Sequence, residues 1–83
     1  MYTVYIKPSA AKALSRLPKE IQRRVSAKIE SLASDPFPPD AKKLAGDPAY
    51  RVRVGDYRIL YDVEPARVLV MVLKIGHRRE VYR

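Results

Sequence analysis

The 83-residue chain contains no cysteine, which removes disulfides, thiolate nucleophiles and cysteine-ligated zinc together. A single histidine, His77, excludes mechanisms that need a histidine pair. The three glycines, Gly46, Gly55 and Gly76, are too scattered for a phosphate-cradling loop. Acidic residues number only nine, with no paired carboxylates of the glycosidase kind and no carboxylate–histidine cluster for a metal. No metal and no cofactor are therefore expected. No run approaches the roughly 18 apolar residues that span a bilayer. The opening stretch Met1-Tyr2-Thr3-Val4-Tyr5-Ile6-Lys7 alternates polar and apolar residues, without the charged-then-apolar order of a signal peptide. An intracellular protein follows, with the cytoplasm as its default compartment and no membrane span. The length fits one domain over residues 1–83, because folded domains start at roughly 50 residues. It excludes an enzyme with separate cofactor and substrate domains.

Against the nine acids stand 17 lysines and arginines, a formal charge of +8. Such an excess on a small surface calls for a polyanionic partner. Nucleic acid, an acidic protein and an anionic membrane all satisfy the charge alone. The apolar share of 47% is too high for intrinsic disorder.

The hydrophobic period changes along the chain. Thr3-Val4-Tyr5-Ile6 is β-branched and aromatic, as in a strand. Ser9 is placed to cap a helix from Ala10 to Leu17, and Pro18 suits the first turn of a second helix. Ile21, Val25, Ile29 and Leu32 then form one apolar stripe, with Lys19, Arg23, Arg24 and Lys28 on a solvated face. Asp35-Pro36 ends the helix, since the residue before proline avoids the α region. A proline-rich connection follows, in which Asp40 to Leu44 forms one short turn. Beyond Pro48 the period is two: Tyr50 to Val54, Tyr57 to Val63 and Arg67 to Ile75 form an antiparallel meander, broken at Gly76. Glu80-Val81-Tyr82 supplies a short last strand. The fold class is α+β, in the order β-α-α-β-β-β with a further β, two N-terminal helices covering one face of a small, mainly antiparallel sheet. Function is expected on the other face.

The charge is spread over both halves, so spacing is the better guide. Arg51 and Arg53 lie two apart on a strand and share a face opposite Val52 and Val54. Arg58 follows on the adjacent strand, where partial burial demands a carboxylate or an incoming anion; Asp56 and Asp62 are structural candidates for that role. Arg78 and Arg79 follow Gly76, and Tyr82 stands three residues later, where its ring can stack on a base. Guanidinium groups match phosphate oxygens in both charge and geometry. His77, set among arginines, is the one side chain whose ordinary pKa lies near neutrality. The alternative for Arg51 and Arg53 is a solvated strand face. The other tyrosines read as strand packing.

The hairpin Tyr50-Arg51-Val52-Arg53-Val54-Gly55-Asp56-Tyr57-Arg58-Ile59-Leu60-Tyr61 and the stretch Gly76-His77-Arg78-Arg79-Glu80-Val81-Tyr82 resemble the RelE branch of the RelE/ParE superfamily of type II toxin–antitoxin toxins. The likeness extends to the opening strand, the Leu17-Pro18 helix hairpin and Ala41-Lys42-Lys43-Leu44-Ala45-Gly46. It implies a RelE-like, microbial-ribonuclease-like fold and a ribosome-dependent mRNA endonuclease acting in the A site. The implied partners are the ribosome with its mRNA and a cognate acidic antitoxin, RelB-like or of another family, in a toxin–antitoxin hetero-oligomer. By position, Arg53, Arg58, His77, Arg78 and Tyr82 are the catalytic candidates. Arg51, Arg79, Lys42 and Lys43 are the RNA-binding ones.

Metal-free cleavage needs a proton removed from the ribose 2′-hydroxyl, charge stabilised at phosphorus and a proton given to the departing 5′-oxygen. Arg53, Arg58 and Arg78 are expected to stabilise the phosphorane, Arg51 to orient the RNA, and His77 or Tyr82 to move protons. The best-known RelE pattern has lysines where Arg51 and Arg53 stand. Arginine is a poor base, its pKa exceeding about 12. Competing readings are a ParE-like gyrase poison, a non-catalytic basic RNA-binding module and a toxin that has lost its activity.

Overall fold

The computed structural model describes residues 1–46 and 48–77. Strand β1 is Thr3–Ile6, and the chain turns directly into helix α1, Pro8–Ser15. The helix begins before Ser9: Lys7 is the N-cap residue and no side chain caps it. Proline at the first helical position has its φ preset and no N–H to satisfy, so a serine cap is dispensable. The amides of Arg16 and Leu17 fold back onto the carbonyls of Ala13 and Leu14, each at 3.2 Å, and close α1.

Helix α2 spans Lys19–Ser34, and Pro18 stands just outside it with φ −52° and ψ 143°. Pro18 is thus the N-cap residue rather than part of the first turn, and its carbonyl accepts the Gln22 N–H at 2.8 Å. The apolar stripe lands as expected, with Val25, Ile29 and Leu32 buried. Asp35 is extended ahead of Pro36, and its Oδ1 accepts the Phe37 N–H at 3.0 Å.

Four further strands follow among the described residues: β2 (Lys42–Lys43), β3 (Tyr50–Val54), β4 (Tyr57–Glu64) and β5 (Leu69–His77). The sheet order is β1-β5-β4-β3-β2. β1 runs parallel to β5 and the other neighbours are antiparallel, so the sheet is mixed. β5 lies inside the sheet, as its apolar character on both faces requires.

Several boundaries differ from the sequence reading. Asp40 to Leu44 is not a single turn. The Leu44 N–H reaches the Ala49 carbonyl at 2.6 Å and draws Lys42 and Lys43 alongside Arg51 and Tyr50 as a strand. Pro65–Arg67 forms a 3₁₀ turn, and Val68 is left-handed at φ 51°, so β5 starts at Leu69. Gly76 does not break the strand, which continues to His77. The expected strand Glu80–Tyr82 lies outside the described residues.

The register of β5 contains one irregularity with large consequences. Tyr61 pairs with Val72 and Leu60 with Lys74, leaving Leu73 as an extra residue. Side chains alternate along a strand, so one inserted residue reverses which face every later side chain takes. Val70 and Val72 face the helices before the bulge; Ile75 does so after it.

The core lies between the helices and this face, and includes Val25, Ile29, Leu32, Val52, Ile59, Tyr61, Val70 and Val72. Tyr61 is fully buried and donates its hydroxyl to the Pro36 carbonyl at 2.8 Å. Burial pushes its phenol up to about 12, with the negative charges of Asp40 and Asp35 and the neighbouring Tyr50 adding to the shift. Tyr50 stacks on it at 5.7 Å and meets Phe37 in a T-shaped contact at 5.3 Å. Tyr50 and Tyr61 are thus packing residues. Among the described residues no helix is long and apolar enough to cross a membrane.

Candidate nucleic-acid interface

The sheet face turned away from the helices carries the cations. Ile59 and Tyr61 belong to the core, so the intervening Leu60 points the other way, with Arg58 and Asp62. Cross-strand partners share a face, and the register builds two rows on it. Lys42, Arg51, Leu60 and Lys74 form one row; Arg53, Arg58 and Gly76 form the next. Leu60 is only 2% exposed although it lies on this outer face. Arg51 and Arg58 are half-buried, with their Nε atoms shielded from solvent, whereas Arg53, Lys42 and Lys74 are exposed.

Two arginines directly opposite each other repel. The pairing geometry brings Arg53 and Arg58 especially close. The Leu44–Ala49 bond sets the main-chain groups of Arg51, and hence of Arg53, toward the β2 side. Arg53–Arg58 is therefore a non-hydrogen-bonded pair, whose Cα atoms lie about 4.5 Å apart in antiparallel sheets. The tight turn that follows uses Gly55 at φ 58°, as a hairpin with glycine in its first turn position requires. Asp62 lies on the same face, and its Oδ1 accepts the Ala49 N–H at 2.6 Å. The cationic rows are thus a charged, partly desolvated surface suited to phosphate oxygens.

Not every candidate joins this cluster. Arg51, Arg53, Arg58 and Lys42 do. Lys43 pairs with Tyr50, whose ring packs on the core, and therefore lies on the opposite side of the sheet. His77 pairs with Tyr57, and the two rings meet edge to face at 5.8 Å and 81°. They line a cleft on the helix side with Arg16, Leu17 and Ile75. His77, expected among the arginines as a catalytic candidate, thus lies on the helix side instead, and the bulge at Leu73 is the cause. Arg78, Arg79 and Tyr82 lie outside the described residues. One residue of the cluster was missed: Lys74, which simple alternation from Val70 and Val72 assigns to the helix side.

The helical cations are arranged separately. Lys28 pairs with Asp40 at 2.6 Å, and its hydrogen bond holds the Asp40 carboxyl below the usual carboxylate range, against the opposing effect of burial. The Arg24 guanidinium lies over Gly55, 3.8 Å from where a side chain there would begin. Among the described residues no three histidine, aspartate or glutamate side chains gather to hold a metal ion.

Residues 4–82 match the family model described as the ParE toxin of the type II toxin–antitoxin system parDE. Toxin RelG of Mycobacterium tuberculosis is 32% identical over 89 residues, covering 99% of this chain and 97% of RelG. The crystal structure of the archaeal RelE–RelB complex from Pyrococcus horikoshii contains a chain 35% identical, with a TM-score of 0.83 over 96% of this chain and 98% of that one. The toxin–antitoxin complex RelBE2 of M. tuberculosis gives 30% identity and a TM-score of 0.80 over 93% and 98%.

Proposed function

Because the chain belongs to the ParE family of type II toxin–antitoxin toxins, on its RelE branch, we infer that it is a ribosome-dependent mRNA endonuclease held in check by a cognate antitoxin. The observation that carries this reading is the facing pair Arg53–Arg58, flanked by Arg51, on the sheet face turned away from the helices. Two guanidinium groups on facing positions are well placed to share the charge of a dianionic phosphorane lying between them. They stabilise the transition state more than the ground state.

In this mechanism the 2′-oxygen loses its proton and attacks the adjacent phosphorus. The bond from phosphorus to the 5′-oxygen breaks, and that oxygen takes up a proton. The products are a 2′,3′-cyclic phosphate and a 5′-hydroxyl. Arg53 and Arg58 stabilise the charge, with Arg78 assigned to the same task by the family resemblance. Arg51 and Lys42 hold the RNA, and Arg79 is assigned there by resemblance. His77, turned toward Tyr57 on the helix side, is left out of proton transfer; Tyr82 is assigned by the family resemblance to give a proton to the departing 5′-oxygen, and solvent takes up the one lost by the 2′-oxygen. No metal ligand is needed for any of these steps.

The antitoxin reading is supported by the related complexes, in which RelE-type chains are bound by RelB. An acidic, largely disordered antitoxin segment complements the +8 charge and folds as it binds. The test is cleavage of a defined mRNA on purified ribosomes by the wild-type chain and by Arg58→Ala and Tyr82→Ala. Cutting confined to ribosome-bound mRNA, and lost in both variants, is expected. Wild-type cutting by Tyr82→Ala overturns its proton role. An intact mRNA together with double-strand DNA breaks in cells points instead to gyrase poisoning.

A further inference from the structure

We propose that Lys74 is an RNA-binding residue of the cationic face, contacting a backbone phosphate beside the one held by Arg53 and Arg58; this rests on the reading of that face as the mRNA-binding surface. The position is a product of the bulge. Without Leu73 as an extra residue, Lys74 would follow Val70 and Val72 onto the helix side, and His77 would take the outer face. With it, Lys74 stands directly across from Leu60, which in turn stands across from Arg51. Arg58 is two residues from Leu60 on β4 and is thus a diagonal neighbour of Lys74, at a distance long side chains span. Bulges characteristically re-aim side chains next to functional sites.

The environment also fits phosphate binding. Lys74 is exposed, while its neighbour Leu60 is almost fully covered. An ammonium group on a flexible stem beside an apolar patch lays its methylenes on that patch and extends its charge to solvent. Three ammonium hydrogens and no acceptor make it a donor to anionic oxygen only. The chemistry selects a phosphodiester backbone over any neutral ligand.

The test uses the full chain and a short single-stranded 2′-O-methyl RNA, which lacks the attacking hydroxyl. Binding is measured across a salt series for wild type, Lys74→Ala, Lys74→Arg, Arg53→Ala and, as a control on the helix side, Lys12→Ala. Each phosphate contact contributes about 0.7 to the slope of log affinity against log salt on single strands. Lys74→Ala is expected to lower the slope by about 0.7 and weaken binding on the order of tenfold at low salt. Lys74→Arg keeps the slope, and Lys12→Ala matches wild type. A Lys74→Ala slope equal to wild type, with Arg53→Ala reduced, overturns the Lys74 contact and leaves the interface standing. Wild-type protein that fails to bind the oligonucleotide overturns both. A Lys74-dependent slope without mRNA cleavage on ribosomes supports the contact and overturns only the nuclease reading.

Discussion

Replacing Arg53 with glutamine should make the protein more stable and less active. Arg53 and Arg58 are direct cross-strand partners, in the pair type whose Cα atoms approach to about 4.5 Å. Two unit charges 4 Å apart in water repel by about 1 kcal/mol, and guanidinium groups at the ends of long side chains spread further. The relief is therefore set by the range for like-charged cross-strand pairs, roughly 0.2–1 kcal/mol. For a domain of this size that raises the melting temperature by about 1–8 °C. Screening supplies a second signature. The Debye length falls from about 10 Å at 0.1 M salt to about 3 Å at 1 M, so the stabilisation should fade as salt rises. Calorimetric melts of wild type and Arg53→Gln at low and high salt measure both effects. On programmed ribosomes the same variant should lose about 10²–10³ in turnover, the loss typical of removing one donor to a developing anion. A variant that melts lower than wild type at low salt, or whose gain is independent of salt, refutes the apposed-charge reasoning. A stabilised variant that cuts at the wild-type rate detaches the arginine pair from catalysis.

Three further outcomes follow from the packing. Tyr61→Phe leaves the buried Pro36 carbonyl without the hydroxyl it accepts from at 2.8 Å, and should cost about 1–3 kcal/mol in urea unfolding. In the wild type, an absorbance titration should show Tyr61 ionising above the ordinary tyrosine range, at about 12. Its folded pKa lies above the unfolded value, so its stabilising contribution is complete below about pH 10 and is lost as the pH rises toward about 12. Asp40→Asn removes the pair with Lys28 and should cost about 0.2–1 kcal/mol, as exposed pairs do. The Asp40 carboxyl is lowered in the folded state, so this contribution is present at neutral pH and is lost as the pH falls through the carboxylate range. A denaturant series at neutral and acidic pH should bring the Asp40→Asn and wild-type curves together on the acid side.

The elements that local chemistry dictates were legible in the sequence. The β-branched start, the stripe Val25–Ile29–Leu32, the stop at Asp35-Pro36 and the hairpin around Gly55-Asp56 each express a local preference, and each is present. The shared face of Arg51 and Arg53 followed from a period of two, and the register adds Arg58 to it. Features set by pairing at a distance were not legible. Lys42–Lys43 becomes a strand because β3 offers an edge. Gly76 remains in β5 because β4 pairs with it through Arg58. The faces of Lys74 and His77 depend on one bulged residue within an apolar run, Leu69 to Leu73, where every side chain is apolar and alternation leaves no mark. A histidine that looks catalytic in one dimension thus meets Tyr57 on the helix side, while an unremarked lysine joins the arginines.

The chemistry of the cut ends is the most direct measurement. A defined mRNA positioned on purified ribosomes, treated with the wild-type chain and then analysed by mass spectrometry, reports which bond was broken and how. Attack by the 2′-hydroxyl predicts an upstream fragment ending in a 2′,3′-cyclic phosphate, a downstream fragment beginning with a 5′-hydroxyl, and no cutting of the same mRNA free in solution. A 5′-phosphate on the downstream fragment, or a transcript left whole on the ribosome, contradicts the mechanism.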